Sequence, residues 1–144
     1  MKDVAARRLP ETYKVQVALE PRYGDMDENG HLNNVAIARL FEEVRVRQNR
    51  HAGDDLQWAT GRPRYLAAHV AIDYLAEGQY PGTVTIGYGI VSVGRSSFRA
   101  GMAAFQAGQC IALCDSVLVF RGPDGPAPIP ADLRALLEGM ALNL

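Results

Sequence analysis

"YGDMDENGHLNN", Tyr23 to Asn34, is the stretch whose reading decides this chain. Its twelve positions hold two aspartates, three asparagines, a glutamate, a histidine and two glycines. Three readings compete: a calcium loop, a solvated turn that caps a helix, and a catalytic turn at the mouth of a helix. Asp25, Asp27, Asn29 and Gly30 match the first half of an EF-hand loop. The bidentate glutamate required at the twelfth position is replaced by Ala36, and the element before the loop ends in Pro21 rather than being a helix. Calcium is therefore set aside. Capping stays open, because Asn and Asp favour turns and helix starts.

Outward from the loop, the flanks declare themselves. "YKVQVALE" (13–20) alternates and ends at Pro21, the pattern of a first strand. "VAIARLFEEVRVRQNRHAG" places Ile37, Leu40, Phe41 and Val44 at helical spacing, so one apolar stripe faces a core. Asn33 or Asn34 is the expected N-cap and Gly53 the expected stop. Glu43 with Arg47, and Glu42 with Arg45, are placed to pair on the wet face, worth tenths of a kcal/mol.

From Tyr65 the period becomes two. Leu66, Ala68, Val70, Ile72 and Tyr74 are expected on one face of a strand covering roughly residues 63–75, with Tyr65, Ala67, His69, Ala71 and Asp73 on the other. Val84, Ile86, Tyr88 and Ile90 repeat the pattern, and "SSFRAGMAAFQ" and "QCIALCDSVLVF" follow around a short "AGQ" turn. "RGPDGPAPIP" is turn-rich, and "ADLRALLEGMALNL" suits a short helix. One long helix with five strands, four of them consecutive, gives the α+β class: a single domain over 1–144, with its helix against an antiparallel sheet.

The whole-chain numbers agree with one globular domain. The 144 residues are 48% hydrophobic and 22% charged, with a formal net charge of −1. Nothing in that balance draws the chain as a whole to nucleic acid or an anionic membrane. The opening "MKDVAARRLP" lacks a signal-like apolar run, and no stretch approaches the ~20 apolar residues of a spanning helix, so a cytoplasmic protein is expected. Cys110 and Cys114 lie four apart in a strand, roughly 13 Å by strand rise, and cannot form a disulfide there. Three histidines without ligand spacing indicate no metal site.

Two features favour chemistry over mere capping in the decisive loop. It precedes the long helix, where free backbone N–H groups can hold a developing anion. Asp27, Asn29 and His31 also place a carboxylate, an amide and an imidazole at alternate positions, which share a side if the segment is extended.

At these residues the sequence resembles the hotdog-fold acyl-CoA thioesterases of the 4-hydroxybenzoyl-CoA type. "RYGDMDENGHLNNVAIARLFEEVR" resembles that family's aromatic residue, D-x-D turn and helix start; "AIDYLAEGQYPGTVTI" and "VGRSSFRA" resemble its later strands and G-x-S-S turn. The resemblance covers about residues 13–121. It implies a hotdog fold, a five-stranded antiparallel sheet wrapped around one long central helix.

It also implies hydrolysis of an acyl-CoA or aryl-CoA thioester. Asp27 falls on the family's catalytic carboxylate, as general base or as nucleophile. Asn29 and His31 match the D-x-N-x-H arrangement of the acyl-carrier-protein branch and would position water or carboxylate. Backbone N–H groups around His31 to Asn34 would form the oxyanion hole, giving Asn33 and Asn34 a place beside the substrate together with Tyr23. Arg95, Ser96 and Ser97 of the "VGRSS" turn are candidate contacts to coenzyme A phosphates. No cofactor is implied.

The resemblance further implies a homodimer joined edge to edge through the 63–75 strand, or a homotetramer, with each site shared between subunits. Glu42 and Glu43 are alternative carboxylates, because another branch of the fold places its carboxylate on the helix. Gly24 departs from the bulkier residue of many relatives and leaves the pocket's shape open. A non-catalytic acyl-CoA-binding module and an acyl-carrier-protein thioesterase are the competing functions.

Overall fold

A computed structural model describes all 144 residues, Met1–Leu144. The elements in chain order are β1 (Val15–Leu19), α1 (Asn34–Leu56), β2 (Tyr65–Tyr74), β3 (Val84–Val93), β4 (Ser97–Gln106), β5 (Gln109–Gly122), β6 (Gly125–Pro126) and α2 (Ala131–Gly139). Short 3₁₀ turns at Ala5–Arg8, Pro10–Thr12 and Tyr23–Asp25 precede the long helix. All strand pairs are antiparallel, in the order β1-β3-β4-β5-β2, and the two-residue β6 pairs with β5 outside that path. The β2 strand is therefore an edge.

The five-strand path wraps α1. The expected stripe holds: Ile37, Phe41 and Val44 are buried, and Leu40 packs against the same cluster. They meet Ile86, Tyr88 and Ile90 of β3, Phe98, Ala100 and Met102 of β4, and Cys114 and Leu118 of β5. Fully burying a side chain such as Phe41 or Val44 stabilises by about 1.5–3 kcal/mol, so this inner face carries much of the fold.

Asn33 is the N-cap, its side chain accepting from the Ala36 N–H at 2.7 Å. Gly53 is not the stop. The helix runs to Leu56 and ends where Gln57 turns left-handed, its N–H donating to the Gly53 carbonyl. Of the expected surface pairs, Arg47 and Glu43 meet at 2.9 Å and Arg45 and Glu42 at a looser 3.9 Å.

The faces of β2 are not those of a simple alternation. Ala67 pairs with Leu118 and His69 with Val117, so Ala68 is the extra residue of a bulge. Tyr65 and Ala67 therefore share the inner face with Val70, Ile72 and Tyr74, while Leu66, His69, Ala71 and Asp73 face outward. A similar irregularity, with Phe105 opposite Cys110 after Ala104 opposite Ala112, puts Cys110 on the outer face and Cys114 on the inner. Both thiols are free, and burial pushes Cys114 up to about 11.

The outer face is partly covered by the N-terminal segment. Arg7 is buried; its Nη2 lies 2.7 Å from Asp115 Oδ1 and its Nε donates to the Tyr13 hydroxyl at 3.1 Å. The tyrosine hydroxyl donates back to the Arg7 carbonyl at 2.8 Å. Gly101 makes room for this: a Cβ there would sit 2.8 Å from Arg7 Nη2. Tyr13, Ala103, Phe105 and Leu113 complete a second, smaller apolar cluster on this side.

Candidate active site

The decisive loop closes on itself rather than running extended. Met26 and Leu32 form an antiparallel bridge, and the Asp27 N–H donates to the His31 carbonyl at 2.7 Å. Between them Gly30 adopts φ +79°, a left-handed conformation that glycine reaches without strain. Asp27 Oδ1 accepts the N–H of Asn29 at 2.9 Å and of His31 at 3.2 Å. Its Oδ2 has no partner in the chain, and the residue is exposed.

This corrects the expectation that Asp27, Asn29 and His31 present side chains to one side of an extended segment. Asn29 and His31 reach Asp27 through their backbone N–H groups. The imidazole points elsewhere, with Nε2 at 3.1 Å from Glu77 Oε2. The loop ring is too tight for period-two geometry, because an aspartate that accepts bonds from the residues two and four ahead bends the chain back.

Asp25 braces the loop from the other side. Its Oδ2 accepts the Arg22 N–H at 2.8 Å, and its carbonyl accepts the Asn33 N–H at 2.9 Å. The Leu32 N–H is also committed, to the Gly78 carbonyl at 2.9 Å. Of the four donors expected from His31 to Asn34, only the Asn34 N–H is unspent, and the Val35 N–H joins it. Two adjacent free donors at the first turn of a 23-residue helix form a site for negative charge.

Around this corner, Tyr74 at the end of β2 donates its hydroxyl to the Asn34 carbonyl at 2.9 Å. Tyr23 is 74% exposed, with its ring edge-on to Tyr80 at 6.0 Å. Sequence reasoning missed the roles of Tyr74, Glu77 and Gly78. Only Tyr74 carried a signal, as the aromatic end of an alternating strand. The corner lies open, with Val35 52% exposed beside the free edge of β2.

The other expected contacts lie far away within one chain. Arg95, Ser96 and Ser97 form the β3–β4 turn, at the end of the sheet opposite the loop. The ten residues of β3 separate the two ends, roughly 30 Å by strand rise. The Ser96 carbonyl there accepts the Phe120 N–H at 2.8 Å. Glu42 and Glu43 line an open cleft of about 580 Å³ along α1 with Asp25 and Arg39, and pair with arginines of their own helix. His69 is exposed on β2. No group of three or more His, Cys, Asp or Glu side chains comes together to hold a metal ion, and no helix is long and apolar enough to cross a membrane.

The comparisons with known proteins converge on one family. The model of the thioesterase-like superfamily matches residues 21–137. A predicted thioesterase from Bacillus stearothermophilus is similar at 28% identity and TM-score 0.76, over 88% of this chain and 95% of that one. A Thermus thermophilus thioesterase, solved in complex with coenzyme A and Zn, is 28% identical at TM-score 0.79, covering 90% and 96%. A Pseudomonas aeruginosa protein is also 28% identical, at TM-score 0.81 over 94% and 98%. No curated protein sequence matches the chain. With the sheet curled about one long helix, the loop–helix corner in place and a family match spanning most of its length, the chain is a hotdog-fold protein and belongs to the thioesterase-like superfamily.

Proposed function

We propose that this protein hydrolyses an acyl-CoA or aryl-CoA thioester to the free acid and CoA, with Asp27 as the catalytic carboxylate. The observation that carries the reading is the corner itself. Asp27 Oδ1 is tethered by two backbone donors while Oδ2 is free, and the Asn34 and Val35 N–H groups have no partner at the nearby helix start. A thioester carbonyl oxygen seated on those donors gains stabilisation as it becomes an oxyanion, often the largest single catalytic contribution.

Two routes share this geometry. As general base, Asp27 Oδ2 takes a proton from a water whose oxygen attacks the carbonyl carbon; the C–S bond then breaks and the CoA thiolate leaves with the proton. As nucleophile, Oδ2 attacks the carbon directly and expels the thiolate, and water cleaves the resulting mixed anhydride. Asn29 and His31 hold the carboxylate through their main chains, so their proposed role is positioning.

The reading includes a homodimer formed through β2, and association of two such dimers into a tetramer is compatible with it. Leu66, Val70 and Tyr74 are large apolar residues at 46–50% exposure on this ten-residue edge strand. An unprotected edge of this kind pairs readily with another strand, and its Tyr74 end abuts the Asn34 corner.

The test is hydrolysis of a panel of acyl- and aryl-CoA esters, followed by thiol release, with the wild type and Asp27→Asn. Turnover of at least one ester that falls at least ~10²-fold in the variant supports the assignment. Near-normal turnover in the variant refutes the role of Asp27. Binding of CoA esters without turnover by the wild type would leave a binding module instead.

A further inference from the structure

β2 runs from an open cleft of about 780 Å³, bordered by Arg62, Arg64 and Arg121, to the loop–helix corner, where Tyr74 ends it. The two free donors of that corner, the Asn34 and Val35 N–H groups, belong to successive peptide units. A trans peptide is planar, with its C=O and N–H pointing opposite ways. Whatever holds the carbonyl oxygen of such a unit therefore also aims its N–H.

The two units are held differently. In the first, the Asn33 carbonyl accepts the Ile37 N–H at 3.1 Å, so the Asn34 donor is aimed by the helix's own ladder. In the second, the Asn34 carbonyl accepts the Tyr74 hydroxyl at 2.9 Å, so the Val35 donor is aimed from the sheet. Tyr74 is itself fixed by β5: its partner there is Ala112, and the next N–H, of Leu75, donates to the Ile111 carbonyl at 2.9 Å.

The bond also changes the strength of the donor. A hydrogen bond onto a carbonyl oxygen draws electron density from the peptide nitrogen, and the N–H of that unit becomes a better donor by roughly 10–30%. Val35 is 52% exposed, so this N–H is open to a ligand while the hydroxyl sits on the opposite side of the peptide unit. Burial pushes the Tyr74 phenol above its ordinary value, which keeps it protonated and donating through the neutral range.

We propose that Tyr74 is a positioning residue for the oxyanion site: its hydroxyl, through the Asn34 carbonyl, aims and strengthens the Val35 N–H. This rests on the thioesterase reading for the oxyanion that forms there. No proton is transferred in the role; the phenol donates in the ground state and the transition state alike. The Val35 N–H gains most when the thioester oxygen has become charged, so the contribution falls on kcat and not on KM. Gly78 and Asp25 decide which donors of the corner stay free, and Tyr74 decides how well one of them works.

The test is Tyr74→Phe, read by amide NMR and by steady-state kinetics. Loss of the hydroxyl should move the Val35 amide resonance upfield, and by more than that of Asn34. Hydrolysis of an acyl-CoA ester should lose roughly tenfold in kcat with KM and the melting profile unchanged, short of the ~10²-fold that outright loss of an oxyanion donor costs. Glu77→Gln, which loosens the same corner at His31, should leave the Val35 resonance in place.

A Val35 resonance that does not respond to Tyr74→Phe overturns the proposal, and so does an equal shift in Glu77→Gln. A shift with kcat retained overturns the catalytic part. A loss carried by KM or by the melting temperature makes Tyr74 a structural residue and overturns the proposal as well. A responding Val35 amide in a protein whose wild type hydrolyses no thioester upholds the aimed donor and fails the thioesterase reading alone.

Discussion

The two ends of the sheet are built on opposite principles. At the Asp27 end the backbone does the holding: five loop N–H groups, of Asp27, Asn29, His31, Leu32 and Asn33, are spent in fixing one carboxylate and one helix start. At the Arg64 end the side chains stand free, three cations around a cleft with no partner among them. The difference is one of rigidity. Bond-making depends on placement to a fraction of an ångström, which main-chain hydrogen bonds supply. Long side chains supply charge and reach without fixing a geometry.

The proposed pairing through β2 predicts that the Asp27 end works only when two copies are joined. The largest effect belongs to Val70→Asp, at the middle of the edge strand, where the residue is 46% exposed in the single chain. The change costs a lone chain little, but pairing about the strand centre would set two like charges face to face. Sizing chromatography should show a folded monomer, and thioester hydrolysis should become undetectable. An active monomer would break the idea of a shared site.

Asp27→Asn comes next, with its loss of at least ~10²-fold in kcat and an unchanged melting profile. Asp25→Asn should cost less, several-fold in kcat, because Asp25 braces the loop through the Arg22 N–H rather than facing the substrate. Finding Asp25→Asn more damaging than Asp27→Asn would reverse the two roles. Smallest is Asn33→Ala, which removes the cap of α1 and leaves the Ala36 N–H unpaired. Denaturant unfolding should report a loss of about 1 kcal/mol, with a few-fold fall in kcat as the free donors at Asn34 and Val35 lose definition.

Local patterns in the sequence carried the scaffold. The stripe Ile37–Leu40–Phe41–Val44 and the alternation Val84–Ile86–Tyr88–Ile90 each depend on residues a few positions apart, and both are buried or packed as read. What failed was local too, where one residue breaks a period. The Ala68 bulge flips Leu66 and Ala67, and no propensity marks it. Likewise the Asx-type closure at Asp27 replaces an extended run by a ring.

The cover on the outer face was illegible for a different reason. Arg7 and Asp115 are 108 positions apart, and "AARRLP" reads as a wet terminus until a partner is known. The one hint was negative space: Gly87, Gly89 and Gly101 leave room on strands otherwise rich in larger residues. At the site, the carboxylate and the helix start were readable as a motif. The identity of the free donors was not, because it depends on Gly78 and Asp25 accepting the neighbouring ones.

The tether on Asp27 makes its two oxygens unlike each other, and isotopes can see that. Oδ1 is saturated by the Asn29 and His31 N–H groups while Oδ2 is bare. If Oδ2 is the attacking atom, a single turnover in ¹⁸O-water ends with heavy oxygen in the enzyme whenever water opens the anhydride at the aspartyl carbon. If Oδ2 only receives a proton, the label passes entirely into the released acid. Heavy oxygen in the peptide spanning Tyr23 to Asn34 would therefore establish the anhydride route, which no rate measurement on Asp27→Asn can do.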